Sequence, residues 1–310
     1  MNDKIIAVAG PTASGKSALA LELCKRLDGE LVSLDSMQIY RGLDIGTAKP
    51  TKAEQAEVRH HMIDICAPTE NFSAAEFAER AHKVIADVQS RGKKVVLCGG
   101  TGLYLDTVLG RLDFGEIESD EKLRDELIAF AEKNGAEALH EKLREIDPQA
   151  AEKIHPNNVR RVARAIEIYE LTGKTKTEHD REAISDSPYD SLIIGLDYDD
   201  REVLYNRINR RVDIMIEEGL EGEVRSLVSR GLLSADSTAG QAIGYKEMLG
   251  YIAGDCSLGD AVEKIKLGTR RYAKRQLTWL RRNPNINWLY PDRLGDFRSL
   301  VCEAEKIINE

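Results

Sequence analysis

The chain has 310 residues, enough for one large or two modest domains with proper cores. Hydrophobic residues make up 42% and charged residues 31%, an ordinary globular balance, and no apolar run approaches the roughly 18 residues of a membrane span. A net charge of −9 argues against a generic nucleic-acid binder, yet Lys264 to Arg282 holds eight basic residues and no acid, so the average hides one basic segment.

The start, Met1-Asn2-Asp3-Lys4-Ile5, runs directly into a strand-like segment and leaves no room for a signal or transit peptide. Five widely spaced cysteines (Cys24, Cys66, Cys98, Cys256, Cys302) without a CxxC pair argue for free thiols in a reducing cytosol, and against a zinc site. A cytoplasmic location is expected.

Residues 4–9 read as a buried strand, followed by a glycine-rich turn and a helix from about Gly15 to Leu27. Leu31–Asp35 is a second short strand and His61–Ile65 a weaker third. Ser73, with Glu76 three residues on, has the capping-box pattern and opens a helix to about Ser90. Lys94–Cys98 is another core strand, ended by Gly99-Gly100. Such alternation predicts a parallel sheet with helices on both faces.

From about Glu116 to Ser187 the strand pattern disappears and helical periodicity replaces it, at 120–134, 136–146 and 157–172. Ser191–Leu196 returns as a strand, 200–283 is mostly helical, Ile286–Leu289 is a last strand and 293–309 a closing helix. The expected fold is α/β: a P-loop-containing parallel sheet flanked by helices, from residues 1–114 and 189–310, interrupted by an all-helical insertion at 115–188.

Gly10-Pro11-Thr12-Ala13-Ser14-Gly15-Lys16-Ser17 fits GxxxxGK[ST] between a strand and a helix, the context a P-loop requires. Its glycines allow close backbone approach, so the amides can wrap phosphate oxygens. Lys16 adds a point charge, Ser17 a hydroxyl for a Mg²⁺ shell, and the helix N-terminus its partial positive charge. A P-loop announces phosphate, not a reaction. An NTPase needs an apolar strand ending in Asp or Glu to hold Mg²⁺, whereas the strand at Val95–Cys98 ends in Gly99-Gly100-Thr101, and Asp64 is a weak substitute. Asp35, at the carboxyl end of the second strand, falls beside the P-loop in a doubly wound fold and can serve as a general base or bind metal through water. Both a kinase of a small substrate and a transferase with a pyrophosphate leaving group would use it. These residues leave the two open.

Arg207 and Arg211 share a helix face, with Arg210 adjacent. Arg271, Lys274, Arg275 and Arg282 fall at helical spacing along one side, with Tyr272 and Trp279 interleaved as base-stacking or core residues. No acid lies among them to form i,i+4 pairs, so an anionic partner would offset their mutual repulsion. Arg160, Arg161 and Arg164 form a third basic group in the insertion. Three separated clusters suit a long polyanion better than a small-molecule kinase substrate.

At this point several segments together resemble one family, the tRNA dimethylallyltransferases, along nearly the whole chain. They are GPTASGKS at 10–17, DSMQIYRGLDIGTAKP at 35–50, HHMIDI at 60–65, GGTGLY at 99–104 and HPNNVRRVARAIEIYELTGK at 155–174. RINRRVDIMIEEGLEGEV at 207–224, QAIGYKE at 241–247 and TRRYAKRQLTWLR at 269–281 complete the set.

The resemblance implies transfer of a dimethylallyl group from its pyrophosphate to the exocyclic amine of the adenine 3′ of a tRNA anticodon, with Mg²⁺ assisting. Gly10 to Ser17, with Arg207 and Arg211, would hold the donor pyrophosphate rather than ATP, and Ser17 would ligate the metal. Lys16 and Arg207 would stabilise the departing charge. Asp35 would accept the amine proton, and Thr101 would hydrogen-bond the adenine or a donor phosphate. The adenine would be turned out of the anticodon stack, read by Ser36, Met37 and Gln38 beside Asp35. Arg160, Arg161 and Arg164 would clasp the stem-loop, and Arg271, Lys274, Arg275 and Arg282 would follow its backbone. No protein partner is evident.

Overall fold

The computed structural model describes residues 4–110, 120–182 and 187–310, so the expected boundary at 114/115 lies outside the described residues. The chain forms two compact units, Met1–Val108 with Tyr189–Glu310, and Leu109–Pro188.

The first unit is built on six strands: β1 (Ile5–Ala9), β2 (Gly29–Ser33), β3 (His60–His61), β4 (Lys94–Gly99), β5 (Ser191–Leu196) and β6 (Ile286–Leu289). They form one sheet in the order β3-β2-β4-β1-β5-β6, every pair parallel. The near-continuous apolar runs follow, because a parallel sheet is covered on both faces. All five residues of β1 are buried. Ile6, Val8, Val96, Cys98, Ile194 and Leu196 share a core with Leu19 and Leu23 of the Lys16–Leu27 helix and Leu300, Val301 and Ala304 of the Phe297–Asn309 helix. The Ala74–Ser90 helix, opened by the expected Ser73/Glu76 capping box, buries Phe77, Ala81, Ile85 and Val88.

Register sets the site. Ser33 and Val8 both pair with Cys98, and Ala9 pairs with Gly99 and Gly195. The P-loop after β1, Asp35 after β2 and Gly99-Gly100 after β4 therefore emerge together at the carboxyl edge, where open α/β sheets bind ligands.

Three boundaries differ from expectation. β2 ends at Ser33 because Asp35 folds into a side-chain-to-backbone turn, accepting Met37 N at 2.9 Å. β3 is confined to His60–His61, since Met62 (φ 61°) and Asp64 (φ 56°) turn left-handed where a strand was expected. The closing helix is two, Pro291–Leu294 and Phe297–Asn309, parted by Gly295 at φ 83°.

The second unit's regular elements among its described residues are all helices: Glu121–Asn134, Ala136–Ile146, Pro148–Lys153, Val159–Thr172 and Lys176–Glu182. Leu139, Leu143, Val162 and Ile166 lead its own core. Glu167, with 0% exposure, accepts Asp120 N at 2.9 Å and pairs with Arg124 at 2.9 Å and Arg164 at 2.8 Å. A buried carboxylate survives there because its oxygens are all engaged.

Candidate active site

The P-loop is held from outside. Gly15 takes φ 95° and Ala13 φ 63°, the loop's two left-handed positions. Arg207 Nε donates to the Ala13 carbonyl at 2.9 Å and the Tyr198 hydroxyl to the Ser14 carbonyl at 3.0 Å. Gln276 accepts Thr12 N at 2.9 Å and donates to the Gly100 carbonyl at 3.0 Å, tying the loop to the end of β4. A Cβ at position 100 would collide with the Gln276 amide, so glycine there is a packing requirement. The Lys16–Leu27 helix starts without a capping side chain, which leaves its first amides for an anion.

Two cations lie under this loop. Lys16 is 9% exposed and donates to the Pro11 carbonyl at 3.3 Å. Burial holds its pKa below the ordinary lysine value; Arg211 pushes the same way, and Cys98 and Asp35 oppose. Burial also lowers the Arg211 pKa, and its guanidinium makes no ion pair among the described residues. Two desolvated positive groups that make no ion pair among the described residues, with Asp35 as a more distant negative charge, are the arrangement an incoming phosphate chain satisfies. Arg207, Arg210 and Arg211 line the outer side of the loop with Gly15, Lys16 and Ser17.

A cavity of about 320 Å³ opens from there. It is lined by the polar Thr12, Lys16, Ser17 and Arg211 and by Asp35, Ser36, Met37 and Gln38. Leu31, Ile208, Val212, Met215, Ile243 and Ile265 give it an apolar wall, and Thr269, Tyr272, Arg275 and Gln276 of the Leu258–Leu280 helix close it. Asp35 Oδ1 accepts Met37 N and Gln38 N, at 2.9 and 3.3 Å, which fixes the carboxylate and leaves its second oxygen without a hydrogen bond among the described residues. Thr101 precedes the Gly102–Val108 helix; its hydroxyl is buried, makes no capping bond among the described residues, and lies near the Tyr272 hydroxyl. Tyr272 is pushed up to about 12 by burial and the nearby Asp35. Gln38 is held in place: its amide donates to the Thr47 and Ala48 carbonyls, both at 3.2 Å, and accepts the Ser33 hydroxyl at 3.0 Å.

The basic clusters divide. Arg281 binds the buried Asp197 at 3.0 Å, Lys266 pairs with Asp213 at 2.7 Å, and Arg270 donates to Asn209 at 2.7 Å. Arg271, Lys274, Arg275 and Arg282 make no ion pair among the described residues; Arg275 and Arg282 lie over the Tyr272 and Trp279 rings, each at 5.6 Å. Trp279 itself donates to Asp106 at 2.6 Å and packs on Gly102, as a core residue would. In the insertion Arg164 is engaged by Glu167, whereas Arg160 and Arg161 are exposed.

Sequence reading missed Gln276, Tyr198, Cys98 and Glu223. Gln276 was detectable as a lone amide on the buried stripe Ala273-Gln276-Leu277-Leu280. Cys98, raised to about 11 by burial, occupies the place beneath Lys16 and Ser17 where an acid would hold metal in an NTPase.

The sheet, the phosphate loop and the cavity define a P-loop α/β enzyme without the acidic strand end of an NTPase. The model of the IPP transferase family matches residues 38–283. Halalkalibacterium halodurans tRNA dimethylallyltransferase is 52% identical over 99% of this chain and 97% of its own, and the Caldanaerobacter subterraneus subsp. tengcongensis protein of that name is 47% identical over 96% and 95%. Among solved structures, the Bacillus halodurans tRNA isopentenylpyrophosphate transferase superposes with a TM-score of 0.73 at 48% identity, covering 99% of this chain and 96% of that one. A eukaryotic dimethylallyltransferase acting on tRNA gives a TM-score of 0.77 at 32% identity, over 93% of this chain and 73% of that one. The chain belongs to the IPP transferase family, whose members are prenyltransferases.

Proposed function

We propose that this chain transfers the dimethylallyl group of dimethylallyl pyrophosphate to the exocyclic N6 of the adenosine 3′-adjacent to the anticodon in tRNA, releasing pyrophosphate. The carrying observation is a cavity of about 320 Å³ that brings together the desolvated cations Lys16 and Arg211, an apolar wall and the Asp35 carboxylate. A prenyl diphosphate has the matching polarity, and an aromatic amine at Asp35 completes the reacting pair.

The adenine amine is a weak nucleophile because its lone pair is delocalised into the ring. Breaking the allylic C–O bond places negative charge on the departing pyrophosphate. The P-loop amides, Lys16, Arg207 and Arg211 meet that charge in a water-poor site, where one well-aimed donor is worth about 3–4 kcal/mol. The second oxygen of Asp35 takes the proton as the N–C bond forms, a contribution of roughly 10²–10⁴-fold. Thr101 and Tyr272 present hydroxyls near Asp35, and the tRNA phosphates run along Arg271, Lys274, Arg275 and Arg282, with Arg160 and Arg161 on the insertion.

The donor set fits a lightly held Mg²⁺. The described residues contain no cluster of three metal-binding side chains, so Ser17 would supply a hydroxyl, Asp35 a water-mediated contact, and the diphosphate most of the oxygens. When bound, the ion adds charge neutralisation on the leaving group.

The test is incubation with radiolabelled dimethylallyl pyrophosphate and unmodified tRNA, with ATP and a free adenylate as parallel arms. Label in tRNA alone is expected. Label in the free adenylate, or phosphate transfer from ATP, would replace this reading with an adenylate prenyltransferase or a kinase.

A further inference from the structure

Residues to which the transfer chemistry gives no role, drawn from three of the conspicuous segments, meet at one carboxylate. Glu223, on the Leu220–Ser229 helix, accepts the main-chain N–H groups of Asp44 at 3.0 Å, Ile45 at 2.8 Å and Gly46 at 3.3 Å. It also accepts the Tyr245 hydroxyl at 2.6 Å. Tyr245 has 0% exposure, and its ring fills the space beside Gly46, where a Cβ would come within 2.5 Å of a ring carbon. Residues 44–46, 223 and 245 come from separate stretches of chain, and their convergence pins one turn.

That turn leads to the site. Its next two carbonyls, Thr47 and Ala48, each accept the Gln38 amide at 3.2 Å, and Gln38 in turn accepts the Ser33 hydroxyl at 3.0 Å. The main-chain N–H of Gln38 helps hold Asp35 Oδ1, at 3.3 Å. Gly46, Thr47, Gln38 and Asp35 line the cavity, and Glu223 does not. A carboxylate that accepts four donors forms charge-assisted bonds about twice as strong as neutral ones. An amide in its place would set an N–H against a row of N–H groups and leave at least one unsatisfied.

We propose that Glu223 is a positioning residue for the acceptor side: by holding the 44–46 amides it aims the Thr47 and Ala48 carbonyls at Gln38 and so fixes the Gln38–Asp35 edge. This rests on the reading that this edge receives the adenine amine. Glu223 touches neither substrate and acts only through the turn. Lys49 secures the same turn independently, donating to the Tyr40 carbonyl at 2.9 Å and to Asp44 and Asp64 at 2.6 Å, so the loop remains attached when Glu223 is changed.

The experiment compares wild type with Glu223→Gln and Tyr245→Phe in steady-state transfer from dimethylallyl pyrophosphate to tRNA. Pyrophosphate affinity is measured by calorimetry on the same preparations, and a double-mutant cycle pairs Glu223→Gln with Gln38→Ala. Loosening of the acceptor edge by a fraction of an ångström is expected to lower kcat about 10- to 100-fold in Glu223→Gln and less in Tyr245→Phe, with pyrophosphate affinity held within about twofold. In the Gln38→Ala background the further loss from Glu223→Gln should shrink to about threefold or less, because the path is already cut. An unchanged kcat, an additive cycle, or a parallel loss of pyrophosphate affinity overturns the proposal. If Glu223→Gln does not fold, Tyr245→Phe carries the comparison alone, and full kcat there overturns it. A wild-type chain that transfers no prenyl group sinks the functional reading itself; an active wild type with indifferent variants sinks only the role of Glu223.

Discussion

Lys16 carries its charge against the preference of its surroundings. Burial is the main reason, and Arg211 adds to it, so the free protein gives up the Lys16 proton below the ordinary lysine range. A bound diphosphate favours the charged form and raises the pKa again. Donor affinity is therefore complete while Lys16 is protonated in the free protein, and is lost as pH rises through its lowered pKa. The expected result is an alkaline limb in kcat/KM for dimethylallyl pyrophosphate that begins below 10.5. Lys16→Arg should move that limb upward, because a guanidinium keeps its proton. A limb that stays in place would assign it to another group. Asp35 makes the complementary case. Asp35→Asn keeps an oxygen for Met37 N and Gln38 N but removes the base, so kcat should fall roughly 10²–10⁴-fold while tRNA affinity changes by less than about threefold. Equal losses in kcat and affinity would count against proton transfer at this position.

On the Leu258–Leu280 helix, charge alone does not predict role. Arg281 is anchored to the buried Asp197, and Lys266 to Asp213, whereas Arg271, Lys274 and Arg275 have no acid to pair with among the described residues. Replacing any of the last three with Ala should lower tRNA affinity and reduce the slope of log affinity against log salt by about one, the value of one phosphate contact. Arg281→Ala should leave the slope unchanged and cost about 1–3 kcal/mol of stability, since Asp197 would lose a charge-assisted partner. Equal slopes in all variants would remove the division. The sequence showed this helix, the P-loop, β1, β4 and β5 with their neighbours, because each has a strong apolar period or a motif with one physical solution. It could not show which arginines are free, because Asp197 and Asp213 lie on other segments and pair through tertiary contact. β3 misled for a similar reason: Met62 and Ile63 look strand-like, but the chain needs its left-handed turns at Met62 and Asp64 to present Asp64 to Lys49. Gln38 is expected to read bases because it neighbours Asp35, and only the fold shows the Thr47 and Ala48 carbonyls that hold its amide.

At the scale of the molecule, two compact units with separate cores share one chain whose net charge is −9. Binding of a polyanion must then depend on local faces, and each unit should be open to perturbation by itself. The described helices include none long and apolar enough to cross a membrane. Glu167 is the keystone of the insertion: with 0% exposure it holds Arg124, Arg164 and the Asp120 amide. Glu167→Ala strands two guanidinium groups beside a cavity and should destabilise the insertion by about 3–5 kcal/mol. Arg160→Glu with Arg161→Glu, on exposed positions, should leave stability within about 0.5 kcal/mol while lowering tRNA affinity at least tenfold. In both variants pyrophosphate affinity should match wild type, because the P-loop, Lys16 and Arg211 belong to the other unit. Hydrogen exchange separates the cases. Glu167→Ala should lose protection across 121–172 with β1, β4 and β5 unchanged, and the double arginine variant should lose none. Loss of protection in the sheet after Glu167→Ala would mean that the two cores fold as one cooperative body, and the insertion could then not be assigned tRNA binding separately from the catalytic unit.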